Sequence, residues 1–298
     1  MFEINNVQDF ITELPKLSIK SKENFFYRGQ SSIEYNLEPS VFRGNAKNIE
    51  DKIYLKVLTE CSNEFDANMA HIDIISKMQH YGVYTRLLDV TTNALVALYF
   101  ACEDEKNKDI DGCVYIFNPS EKYVKQFDSD TVSILSSIPR FNNDDKEALF
   151  EFAKISVGDR YYPYDEYEEY RRYFYDEYDE EIRVFNNIDV VKRLLHEVKK
   201  EKPAFENIIN PENLLNNYFV LPKKDNPRIV RQSGAFILYG LNEEKNIDVF
   251  DRIRIPSRSK ENIIEQLKCF GISKATLHPE LYKVAEYIAD RIKNRMEF

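Results

Sequence analysis

The sequence has no tryptophan, and its 298 residues include only 8 glycines, 4 cysteines and 4 histidines. Scarce glycine argues against an architecture of many tight turns and favours helix-rich segments. Cys61, Cys102, Cys113 and Cys269 form no Cys-x-x-Cys pair, and His71, His80, His196 and His278 are dispersed, so the spacings of a zinc site or a disulfide framework are missing. The thiols read as reduced and mostly buried, and no local motif supports a Cys–His catalytic pair. Positive charge is also short: 41 basic against 51 acidic residues leave a net charge of -10, which repels polyanions at long range. Non-specific nucleic-acid binding is therefore excluded unless a basic groove forms locally, and an acidic membrane surface is disfavoured. No stretch reaches the roughly 18 apolar residues of a spanning helix, and the opening Met1 to Asn5 lacks a basic, apolar leader pattern, so the expectation is a cytoplasmic chain without a membrane partner.

What is present is a large apolar fraction, 43% of residues, with 20 Tyr and 20 Phe carrying much of it, so a sizeable core is affordable. Val7 to Leu14 reads as a short amphipathic helix, and Phe25-Phe26-Tyr27 as a strand ended by Arg28-Gly29. From Ile53 to Met78 apolar residues recur at helical spacing until Tyr81-Gly82 supplies a stop. Asn93 to Cys102 is apolar on every face, a buried helix capped by Thr91 or Thr92, and Cys113 to Phe117 follows the Asp111-Gly112 turn as a strand. Strands are expected again at Arg228 to Tyr239 and Val249 to Ile255, and two closing helices follow, one stopping at Gly271 and one starting near Pro279. Between about Phe141 and Pro222 the chain turns acidic and Tyr-rich, with Tyr167, Tyr170, Phe174 and Tyr178 on one helical face that reads as core. The pattern predicts an α+β fold: a small mixed or antiparallel sheet with flanking helices, built from residues 1–140 and 222–298, and a helical Tyr-rich acidic insertion over 141–221.

Two segments carry candidate chemistry. Arg28 stands at a strand end beside Gly29, where a planar guanidinium can grip phosphate or carboxylate in bidentate fashion; a structural ion pair is the competing role. Gln79 to Thr92 concentrates His80, Tyr81, Thr85, Arg86, Asp89, Thr91 and Thr92 between a helix stop and a buried helix. Hydroxyls and free N–H groups at a helix start suit an anionic ligand. Thr91 is equally suited to capping, Asp89 to pairing with Arg86, and His80 to a satisfied core position.

Tyr27-Arg28-Gly29-Gln30, His80-Tyr81-Gly82 with Thr85-Arg86-Leu87-Leu88-Asp89, and Ala97-Leu98-Tyr99-Phe100-Ala101 together resemble the bacterial FRG-domain family, with Tyr27 in place of the Phe of the name-giving tripeptide. Arg231 to Phe236 and Thr276 to Leu281 are similar to that family's closing motifs. A weaker likeness runs to mono-ADP-ribosyltransferases of the Arg, Ser-Thr-Ser, Glu type. It implies that Arg28, with Gly29 and Gln30, holds a phosphate or ribose of NAD, and that Thr91-Thr92 stand for the Ser-Thr-Ser element. The third element departs, because Gln232 stands where a strand Glu would stabilise a cationic transition state; Glu280 and Asp89 are the substitutes considered. The resemblance implies a nucleotide or dinucleotide ligand, NAD first, with ADP-ribosyl transfer or NAD cleavage in a bacterial defence or toxin setting. The alternative is a non-catalytic ligand-sensing or protein-interaction module with a protein partner.

Overall fold

The computed structural model describes residues 2–18, 25–66, 68–158, 175–243 and 245–279. Eight strands among them form one mixed sheet: β1 (Phe2–Glu3), β2 (Phe26–Gln30), β3 (Leu87–Thr91), β4 (Gly112–Phe117), β5 (Val124–Gln126), β6 (Tyr218–Leu221), β7 (Gly234–Leu238) and β8 (Asp251–Ile255). Their order across the sheet is β1-β8-β4-β2-β3-β7-β6-β5. The two outer pairs, β1 with β8 and β5 with β6, are parallel, and the inner pairs are antiparallel. The helices are α1 (Val7–Ser18), α2 (Glu50–Glu60), α3 (His71–His80), α4 (Ala94–Cys102), α5 (Asp130–Ser137), α6 (Asn143–Val157), α7 (Tyr175–Asn186), α8 (Asp189–Glu201), α9 (Pro211–Leu215), α10 (Pro227–Arg231), α11 (Lys260–Cys269) and α12 (Lys274–Leu277). The fold is α+β, and no described helix is long and apolar enough to cross a membrane.

Period-two alternation decides which side of the sheet each residue serves. On one face, α4 lies with α1 and α11 over β4 and β8, burying Ala97, Leu98, Val114, Ile116, Ile253 and Leu267. On the same face, α3, α5, α6 and α8 cover β3, β6 and β7 through Ile75, Leu135, Leu149, Leu194, Phe236 and Leu238. The opposite face buries Phe26, Tyr115, Phe117, Phe219 and Ile237, and the segment 31–45 folds over it through Ile33, Leu37 and Phe42. The parting between the two helical layers falls at β2 and β3.

α4 is apolar all round and mostly enclosed, with only Ala94, Leu95 and Phe100 partly exposed. It sits directly on β2 and β4: a Cβ at Gly29 would lie 1.9 Å from the Ala97 carbonyl oxygen, and one at Gly112 would lie 2.3 Å from that of Ala101. The close approach that Gly29 permits is thus to a helix backbone.

A buried charge cluster ties the helices to the sheet. Arg86 meets Glu50 of α2 in bidentate fashion, Nε to Oε1 at 2.9 Å and Nη2 to Oε2 at 2.5 Å. Lys146 of α6 donates to the same carboxylate at 2.7 Å, and Arg86 Nη1 reaches the Tyr239 and Gly240 carbonyls beyond β7 at 3.1 and 3.3 Å. Burial alone would raise the Glu50 carboxyl, but Arg86 and Lys146 outweigh it and hold it below its usual range.

Several elements differ from the sequence expectation. The single helix expected from Ile53 to Met78 is two, because the chain is extended at Ala70 before α3 begins. The strand expected from Arg228 opens instead with a helical turn, since Pro227 occupies the first turn and Asn226 caps the Arg228 N–H at 2.9 Å. Asn93, not Thr91 or Thr92, caps α4. β2 continues through Gly29 to Gln30, and β6 adds a strand from within the segment read as wholly helical. Cys61 and Cys269 are exposed, and only Cys102 and Cys113 are buried. Tyr167, Tyr170, Phe174 and the closing helix after Pro279 lie outside the described residues.

Two outcomes are expected. Gly29→Ala destabilises the protein by about 3 kcal/mol, as a methyl group is forced into the α4 backbone, measured as a shift in denaturant midpoint. Glu50→Gln leaves two buried cations without their anion and costs about 3–5 kcal/mol at neutral pH. The carboxyl pKa is lower in the folded state, so its contribution is present above its unfolded pKa of about 4.3 and disappears as pH falls through the folded value. The stability gap between wild type and Glu50→Gln therefore narrows below about pH 4.

Candidate functional site

β2 and β3 are neighbours, yet they are in register at one position only, Tyr27 opposite Thr91. Beyond it the strands part. The Asp89 carbonyl faces this gap and is taken by a side chain: Arg28 Nη1 donates to it at 2.6 Å. Arg28 is half-buried, with its Nε enclosed and without a partner. Burial lowers its pKa from the ordinary value; Asp89 opposes that shift and Arg43 reinforces it. The guanidinium remains charged throughout the physiological range. Among the described residues no carboxylate forms an ion pair with Arg28, and an enclosed charged donor left unpaired costs about 1–3 kcal/mol or more.

An open cleft of about 1880 Å³ runs along this parting. Tyr27, Asp89 and Thr91 line it on the α4 face of the sheet, with Phe100 and His278 on one side and Arg228 and Gln232 on another, and through the parting it reaches Arg28, Gln30, Tyr35 and Arg43 on the opposite face. His278 Nε2 is 3.9 Å from Glu103 Oε2, with the imidazole edge-on to Phe100. The Asp89 carboxylate accepts from Gln79 Nε2 at 2.9 Å and is otherwise exposed.

The threonines act on the backbone. Thr91 Oγ1 donates to the Gln232 carbonyl at 2.7 Å and accepts from the Asn93 N–H at 2.9 Å. Thr92 Oγ1 donates to the Ser233 carbonyl at 3.3 Å, and its N–H to the same oxygen at 3.0 Å. Ser233, next to the cleft residue Gln232, has φ +47°, a left-handed conformation unusual for a residue with a Cβ, held by these contacts. Gln232 Nε2 donates to the Leu277 carbonyl at 3.1 Å, docking the α12 turn against the Gln232 side of the cleft.

The residues singled out from sequence thus separate into groups. Arg28, Gly29, Gln30, Asp89, Thr91 and Gln232 line the cleft. Thr92 is bonded to the Ser233 carbonyl, next in the chain to the cleft residue Gln232. Thr85 is buried and anchors segment 31–45, its N–H donating to Ser40 Oγ at 3.0 Å. Arg86 belongs to the buried charge cluster and pairs with Glu50, not with Asp89, because an odd spacing along the chain puts 86 and 89 on opposite sides. His80 and Tyr81 line a separate groove of about 470 Å³, where His80 Nδ1 is 3.4 Å from Asn226 Nδ2. Glu280 lies outside the described residues.

Arg43, Tyr35 and Arg228 line the cleft and were not legible as cleft residues in the sequence. Burial pushes the Cys102 thiol up to about 12 and Cys113 to about 11, so neither supplies a thiolate at neutral pH. Among the described residues no three His, Cys, Asp or Glu side chains gather closely enough to hold a metal.

Residues 23–110 match the family model of the FRG domain. The FRG match takes in β2, segment 31–45, α2, α3, β3 and α4, hence both sides of the parting, while Arg228, Gln232 and His278 come from beyond it. No curated protein and no solved structure matches the chain.

Removal of the Thr91 hydroxyl should loosen one wall of the cleft. Thr91→Val costs about 1–2 kcal/mol in unfolding experiments and speeds amide exchange at Thr92, whose N–H is held by the Ser233 carbonyl.

Proposed function

We propose that the cleft binds a nucleotide through its phosphates, with NAD as the leading ligand and Arg28 as the anchor. The observation that carries this reading is the Arg28 guanidinium itself: positively charged, placed where two strands part, hydrogen-bonded to a single carbonyl, and in ion-pair contact with no described carboxylate. A planar donor fork of that kind suits phosphate oxygens. Arg43 and Arg228 bring further positive charge to the same cleft, although the chain as a whole is strongly acidic. Tyr27 and Phe100 offer aromatic surface for a base or a nicotinamide ring.

Departure of nicotinamide from NAD builds positive charge on the ribose, and Asp89 is the carboxylate placed at the parting to stabilise it. The reading thereby includes NAD cleavage or ADP-ribosyl transfer, in line with the likeness to ADP-ribosyltransferases and with a bacterial defence or toxin setting. One observation favours a second reading: β7, Gly234–Leu238, contains no acidic residue, and the Gln232 amide is engaged with Leu277. Under that reading the cleft holds the nucleotide without breaking it and reports its presence to a protein partner.

Calorimetric titration with NAD, NADP, ATP and ADP-ribose tests the binding. Arg28→Lys retains the charge but not the fork, and is expected to weaken the best ligand by about tenfold or more. Unchanged affinity in that variant would remove Arg28 from the phosphate role. Nicotinamide release that persists in wild type and is lost in both Arg28→Ala and Asp89→Asn selects the enzyme, whereas binding without release selects the sensor.

A further inference from the structure

Arg28 and Gln30 are two residues apart on β2, so both project to the face opposite α4. Their antiparallel partners on β4 are Tyr115 and Cys113. Segment 31–45 crosses this face and brings Arg43, whose guanidinium donates to the Glu38 carbonyl at 3.1 Å. Arg43 is close enough to depress the pKa of Arg28, so two cations look into one space. Gln30 is almost completely buried, at 3% exposure. Its Nε2 donates to the Asn36 carbonyl at 3.2 Å, which fixes the orientation of the amide, because the reverse would set two oxygens against each other. The atom left over is Oε1, an enclosed acceptor with no donor, and it lies on the same side of β2 as the enclosed, unpartnered Nε of Arg28.

We propose that Arg28, Gln30 and Arg43 form a subsite for a phosphorylated sugar, in which the guanidinium groups hold the phosphate and Gln30 Oε1 accepts a hydrogen bond from a neighbouring sugar hydroxyl. This deepens the nucleotide reading above and rests on it. A bare anion offers acceptors only and satisfies the arginines; a ligand that also satisfies Gln30 must bring a donor within a few bonds of its phosphate. A ribose 5-phosphate unit, free or as part of a dinucleotide, has that combination. A site with a buried acceptor rejects an analogue that lacks the hydroxyl, because the acceptor is then left unpaired.

Ribose 5-phosphate and propyl phosphate share a phosphate monoester and differ in hydroxyl groups, so calorimetric titration of both at pH 8 separates the two parts of the subsite. Wild type is expected to prefer ribose 5-phosphate by about tenfold. Gln30→Met should abolish that preference and leave propyl phosphate binding unchanged, Arg43→Ala should weaken both phosphates alike, and Gln30→Glu should weaken both by placing a carboxylate beside the two arginines. Each variant is first compared with wild type by its unfolding midpoint, and Gln30→Glu decides the matter if Gln30→Met does not fold. Propyl phosphate binding with an undiminished sugar preference in Gln30→Met, or full phosphate affinity in Gln30→Glu, overturns the role of Gln30 while leaving the anion site standing. Failure of both phosphates to bind wild type overturns the anion site and this subsite together.

Discussion

The interaction on which the remainder of the architecture depends is the salt cluster of Glu50, Arg86 and Lys146. Three ionised groups with almost no solvent contact cost several kcal/mol each to dehydrate, and the cost is offset only when every donor and acceptor meets a partner in good geometry. The cluster meets that condition by drawing on four places in the chain: α2, the residue before β3, α6 and the turn beyond β7. Such an arrangement contributes less to net stability than to uniqueness, since a shift of any one helix would strand a charge. Arg86 is followed directly by β3, so the cluster also sets the register from which Asp89 and Thr91 project into the cleft.

The cleft arises where two independent packing solutions meet. Over β4 and β8, and down onto β2, α4 is pressed against the sheet by glycines at 29 and 112; over β3, β6 and β7, the helices carrying Ile75, Leu149 and Leu194 stand on larger side chains. Beneath the line where the two layers meet, β2 and β3 separate after a single pair. Arg28 answers the resulting backbone need at Asp89 and thereby becomes the charged group at the opening. Its placement follows from sheet geometry, and a single backbone carbonyl is its hydrogen-bond partner.

The apolar segments were the most readable part of the sequence. Ala94 to Cys102 has no polar face and had to be enclosed; Cys113 to Phe117 follows a turn and had to be a strand. Arg28 and the β3 stretch were legible as a pair because polar residues interrupted otherwise apolar surroundings. Arg86 was read as a ligand contact or as a partner of Asp89, whereas the carboxylate it meets, Glu50, lies 36 positions away with nothing local to mark it. Gly29 showed that something approaches closely but not what, and it is a helix. Thr91 and Thr92 looked available because their acceptors, the carbonyls of Gln232 and Ser233, belong to a distant turn. Residues whose meaning depends on long-range partners were opaque, and those set by local periodicity were not.

The pairing of β1 with β8 joins Phe2 to Ile253 and Glu3 to Arg254. As the chain leaves the ribosome, β1 has no strand partner until Ile253 and Arg254 of β8 have been made. β4 likewise waits for β8 on one side, although β2 is already available on the other. The layer containing α4 can therefore assemble early around β2 and β4 while the β1 side of the sheet stays open, which makes that edge the part of the nascent protein most in need of shielding during synthesis.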